Sequence, residues 1–269
     1  NSLKHLSWRN PRKHCSGCRD EDADSSPLKR VLLSQGSNLQ SLEYRTDECD
    51  SRTPPVLSLE DLRALATLAP NLSSLVLHLE RHDNGTRSCP SWPWEALELL
   101  AKSLPELTDL TIHFGLASKC HRQQHWLSLT IYYRCDTKCL GPDRYAQPLL
   151  NKTSAAEMAR FLHQHKAGQP FKSMTFRAGD WTSPWHEPLI ISRWLKGKQV
   201  WVTCRLANTP LGDQSGDNIS EMVCDAGDTL TVDAYREWDE HCSAMGRDET
   251  WREEEYQEML PKFDRCDGL

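Results

Sequence analysis

The feature that most constrains this chain is an internal repeat. Four segments share a Leu-x-x-Leu core: NSLKHLSW from residue 1, SNLQSLEY from 37, PNLSSLVLHL from 70 and PELTDLTIHF from 105. A fifth, degenerate copy reads PFKSMTFRA from 170. The anchors Leu3, Leu39, Leu72, Leu107 and Phe171 are separated by 36, 33, 35 and 64 residues, the last close to two periods. Cores end in alternating apolar residues, Leu75, Leu77 and Leu79 or Leu110, Ile112 and Phe114, the period of a short strand with one buried face.

Helix candidates precede two cores. Residues 59–69 carry Leu62, Leu65 and Leu68 at helical spacing, with Ser58 as N-cap and Asp61 three positions on. Residues 92–104 repeat the form with Leu97, Leu100 and Leu104, and Pro70 and Pro105 end the two helices. One such unit cannot bury its own apolar face, so several must stack. The expected fold is α/β: a leucine-rich-repeat-like solenoid of short parallel strands with outer helices over residues 1–178, 115–148 being an insertion. Residues 179–269 are then expected to form a C-terminal α+β cap. The competing reading is an ordinary α/β domain.

The PNLSSLVL and PELTDLTI cores resemble irregular leucine-rich repeats, and the long period is similar to that of fungal F-box and related proteins. The resemblance covers about residues 1–115, with 170–178 as an outlying copy. The common repeat has roughly 20 to 29 residues and an Asn or Cys ladder position after its strand; Cys49 and Cys120 stand too far from their strands to fill it. The resemblance implies protein binding as the substrate receptor of a ubiquitin ligase. A helical F-box outside these residues would then dock the Skp adaptor.

If the leucines face inward, Glu43, Arg45, His78, Glu80, Thr111 and His113 face outward as partner-binding candidates. A one-residue change of register would invert that face.

The remaining chain differs in character. Residues 115–148 are poor in Leu and hold Cys120, His121, His125, Cys135 and Cys139. They read as a loop insertion, a metal knuckle or a stretch foreign to the mature protein. Residues 153–164 read as a helix capped by Thr153 or Ser154, 171–177 and 200–206 as strands, and 221–224 with 229–232 as a hairpin. Four Trp fall between Trp181 and Trp201, expected to cap a core edge, the alternative being an aromatic binding platform.

Charge is divided. Residues 213–269 hold 17 acidic against 5 basic residues, leaving a net of +6 in residues 1–212. The acidic end is expected as a solvated helix or a tail folding back on the basic part. An excess of +6 is too dilute for a nucleic-acid surface. Lys172, Arg177, Arg193, Lys196, Lys198 and Arg205 read as exposed positions of a sheet region. No apolar run approaches the roughly 18 to 20 residues of a membrane span. The chain opens on Asn1 with no charged-then-apolar leader, so a signal peptide is absent or trimmed and the true start lies upstream in the latter case.

Eleven Cys, an odd number in a chain too large to need staples, point to a reduced intracellular protein in cytoplasm or nucleus. Sequons at Asn71, Asn84, Asn151 and Asn218 oppose this, but Asn71 lies inside a Leu core, where a glycan is expected to collide with packing. Cys15 and Cys18 beside His14, and Cys135 and Cys139 with Cys120 and His125 upstream, have pair spacing without a zinc ribbon's tight double pair, so no metal and no cofactor are expected. Hydrolase, P-loop and dinucleotide signatures are absent, and His186-Glu187 runs into Pro188. Asp239, Glu240, His241 and Cys242 read as the surface of an acidic helix. The expectation is a non-catalytic protein-interaction scaffold, the alternatives being a secreted recognition module and a motif-poor hydrolase.

Overall fold

Each alternating core forms a strand. A computed structural model describes residues 2–9, 26–45, 57–81, 91–115, 146, 148–179, 200–208 and 220–228. The order is β1 (His5–Arg9), α1 (Ser26–Gln35) running into a 3-10 turn (Gly36–Asn38), β2 (Ser41–Arg45), α2 (Leu59–Leu68), β3 (Ser74–His78), α3 (Trp94–Ser103), β4 (Asp109–Phe114), α4 (Lys152–His165), β5 (Ser173–Ala178), β6 (Val200–Asn208) and β7 (Ser220–Asp228). The strands form one seven-stranded sheet in chain order. Neighbours are parallel from β1 to β5 and antiparallel from β5 to β7. The fold is α/β.

The repeat is visible in the backbone. The carbonyl of Lys4 accepts the N–H groups of Gln40 and Ser41, that of Gln40 accepts Ser73 and Ser74, that of Ser73 accepts Thr108 and Asp109, and that of Thr108 accepts Lys172 and Ser173. One position per copy thus makes the same two bonds to the next, tying the Leu cores into one register. Across the 64-residue spacing β5 still pairs directly with β4.

Period two sorts the strands' side chains. Leu42, Leu75, Leu110, Met174 and Cys204 form one cross-strand row, and Tyr44, Leu77, Ile112, Phe176 and Val202 a second. All but half-buried Tyr44 are buried. All four helices contribute to the same core cluster as these rows, and each touches the next in chain order. They therefore cover the Leu face.

Local chemistry sets the helix ends. Ser58 accepts the N–H of Asp61, whose carboxylate accepts the N–H of Ser58, a reciprocal capping box at the start of α2. In α4 the cap is Asn151 rather than the expected Thr153 or Ser154; Ser154 is the other half of the box, its hydroxyl accepting the Asn151 N–H. Helix α3 starts at Trp94, two residues later than expected: Pro93 is its N-cap with a non-helical ψ of 65°, and Trp92 packs against Phe114 with ring centroids 5.0 Å apart. Gly36 has a steric reason: a Cβ there would stand 2.4 Å from the carbonyl oxygen of Leu68.

Three expectations change. Helix α1 was not anticipated, and it seats Leu28 and Leu32 in the core. The hairpin is β6 with β7, so residues 221–224 are the interior of β7, while 229–232 lie outside the described residues. Asn71 does not collide with packing: it is exposed beside fully buried Leu72, its Nδ2 donating to the Ser37 carbonyl at 2.8 Å. The sheet continues past residue 178 without a break. Among the described residues no helix is long and apolar enough to cross a membrane.

Candidate partner-binding face

The face away from the helices carries its own rows. Ser7, Glu43, Val76, Thr111, Thr175 and Thr203 stand side by side across β1 to β6. The Ser7 hydroxyl donates to Glu43 Oε2 at 2.6 Å, and the Thr175 and Thr203 hydroxyls are 3.0 Å apart. The next row pairs His78 with His113, His113 with Arg177 and Arg177 with Trp201. Arg45 occupies the equivalent place in β2, opposite Arg9 of β1.

Five of the six candidates, Glu43, Arg45, His78, Thr111 and His113, therefore share this face. Glu80 is exposed but lies beyond the end of β3. Burial differs from the expected open display: Arg45, His78 and His113 are 5%, 3% and 2% exposed. Arg45 Nε donates to Glu43 Oε1 at 2.8 Å, a contact that offsets part of the desolvation of a buried guanidinium. Burial holds the His113 imidazole neutral, its pKa lowered to about 2, helped by the positive fields of Arg45, His78 and Arg177 and opposed by Glu43.

Toward β7 the same face is open. Arg177 is exposed, Trp201 is 40% and Val223 38% exposed, and Arg205 pairs with Asp225 across the hairpin at 2.8 Å. A Cβ on Gly227 would stand 1.9 Å from the Trp201 indole, so the missing side chain seats the ring against the neighbouring strand. Trp201 thus stands exposed on the sheet face between β5 and β7 rather than buried over a core. Trp181, Trp185 and Trp194 lie outside the described residues, as do Arg193, Lys196 and Lys198.

Arg177 and Trp201 were not among the six partner-binding candidates, although Arg177 was expected as an exposed sheet position and is one. A signal for Arg177 existed: six residues past the anchors Leu3, Leu39, Leu72, Leu107 and Phe171 stand Arg9, Arg45, His78, His113 and Arg177. Every copy has Arg or His there. Trp201 was marked only as one of the four clustered Trp, with a binding platform as the alternative to a core edge, and its place depends on the antiparallel pairing of β6.

The disulfide between Cys204 and Cys224 joins directly opposed residues of β6 and β7, on the face turned toward α4. These two cysteines are not the free thiols of a reduced chain. His14, Cys15, Cys18, Cys120, His121, His125, Cys135, Cys139 and residues 229–269 lie outside the described residues. Among the described residues no three His, Cys, Asp or Glu side chains gather as metal ligands. Compared with known proteins, the chain matches no family model, no curated sequence and no solved structure.

Proposed function

We propose that the chain is a leucine-rich-repeat-like solenoid and a non-catalytic protein-binding scaffold. The observation that carries this reading is the single register from β1 to β6, which lines up side chains of successive copies into continuous rows on the face away from the four described helices. Rows of this kind offer a partner a broad surface, and at the β5–β7 end Arg177, Trp201 and Arg205 are open to it. Trp and Arg are the residue types in which binding energy concentrates. Buried Arg45, His78 and His113 would set the rigidity of the face, and Glu43 and Thr111 its polar middle.

The F-box resemblance extends the proposal to the substrate receptor of an intracellular ubiquitin ligase, with the Skp adaptor held by a segment outside this chain. The test is to tag the full-length gene product in its own cells and identify co-purifying proteins by mass spectrometry. Recovery of Skp and cullin subunits is the expected result of the ligase reading. Their absence beside another stoichiometric partner would end it and keep the scaffold; no partner at all would count against both.

A second reading, a secreted recognition module, is favoured by the Cys204–Cys224 disulfide. Disulfides persist in oxidising compartments and are rare in the cytosol. The same sheet face would then meet an extracellular protein.

A further inference from the structure

We propose that Asn71 is an N-glycan acceptor in a chain that matures in an oxidising secretory compartment. The proposal rests on the exposure of this side chain and on the disulfide, not on what the sheet face binds; it goes with the secreted reading and excludes the ligase one.

Asn71-Leu72-Ser73 has the acceptor pattern. Burial alternates sharply around it, with Ala69 and Leu72 sealed in the core and Asn71 in the turn between them exposed. Such a turn holds the carboxamide outside the packed layer while its neighbours anchor the backbone. The bond from Asn71 Nδ2 to the Ser37 carbonyl is compatible with modification. A primary amide has two N–H donors, and glycosylation uses one.

The transfer balances without help from this chain. Nδ2 forms a bond to the anomeric carbon of a sugar carried on a lipid pyrophosphate. The carbon–oxygen bond to the pyrophosphate breaks, the lipid pyrophosphate leaves with that electron pair, and Nδ2 gives up one proton. The other sequon among the described residues is less suited, because Asn151 is half-buried and its carboxamide oxygen caps α4.

Location adds a consequence. Asn71 precedes the start of β3, whereas His78 ends it. A glycan would leave the sheet at the opposite end of the strand from the Arg and His row, and that row would remain available to a partner.

The experiment is to express the full-length gene product in its own cells, block free thiols during lysis, and digest with peptide N-glycosidase in heavy-oxygen water. Mass spectrometry then reads the tryptic peptide Ala64–Arg81 and the peptides holding Cys204 and Cys224. The expected result is heavy-oxygen Asp at position 71 together with disulfide-linked Cys204 and Cys224. Asn71→Gln should abolish the glycosidase-sensitive gel shift of this site, and Ser73→Thr should keep it. Unmodified Asn71 beside an intact disulfide overturns the acceptor assignment. Unmodified Asn71 with both cysteines blocked overturns the compartment as well and leaves the ligase reading standing.

Discussion

The two ends of the sheet are held together by different means. From β1 to β5 every strand is parallel, and each is followed or preceded by a helix that seals the same face with Leu, Met and Phe. In β6 and β7 the connection is antiparallel, a disulfide occupies the inner row, and an exposed Arg205–Asp225 pair lies on the other face. Parallel strands need crossover helices and hence long periods, whereas a hairpin closes on its neighbour. The antiparallel hairpin therefore needs no crossover helix, and Trp201 and Val223 on it are exposed. In the middle, the face away from the helices buries Arg45, His78 and His113.

The largest effect should come from the parallel part. Leu110→Ala empties a fully packed site and should cost about 2–5 kcal/mol, read by urea unfolding. Val223→Ala in the hairpin should cost less than about 1 kcal/mol; equal costs would break the contrast. Replacing both Cys204 and Cys224 by Ala opens a loop with a sequence separation of 20 and should cost about 3 kcal/mol. Hydrogen exchange should then show loss of protection in β6 and β7 but not in β2 to β4.

The polar middle has its own pH signature. Below about pH 6.5 the unfolded chain binds a proton at His113 that the folded chain refuses until about pH 2, so stability falls as pH falls through that window. The slope from this group approaches about 1.4 kcal/mol per pH unit, and His113→Gln should remove it from the unfolding curves. A modest effect belongs to the helix cap. Ser58→Ala should cost about 1 kcal/mol in the same denaturation assay.

Much of the parallel part was legible because its causes are local. The Leu cores, Pro70 and Pro105, and the Ser58–Asp61 pair each announce an element within a few residues. Helix α1 was missed although Leu28 and Leu32 sit one turn apart, because Leu33 beside them is exposed and blurs the apolar stripe. The candidate face was half legible. Register followed from alternation, which placed Glu43, Arg45, His78, Thr111 and His113 together, but the burial of three of them is a tertiary property. Arg177 escaped because its copy replaces the Leu anchor with Phe171 and the second Leu with Met174. The hairpin was illegible for a different reason, since nothing near Cys204 states that its partner is Cys224.

The most direct test of the account compares the tagged full-length protein with a double variant, Arg177→Glu and Trp201→Ala, in co-purification from its own cells. Both changes lie on exposed strand positions, and circular dichroism should show the fold unchanged. The account predicts that the stoichiometric partner bound by the unaltered protein is lost from the variant. Full retention of that partner by a folded variant would contradict the placement of binding on the open end of this face.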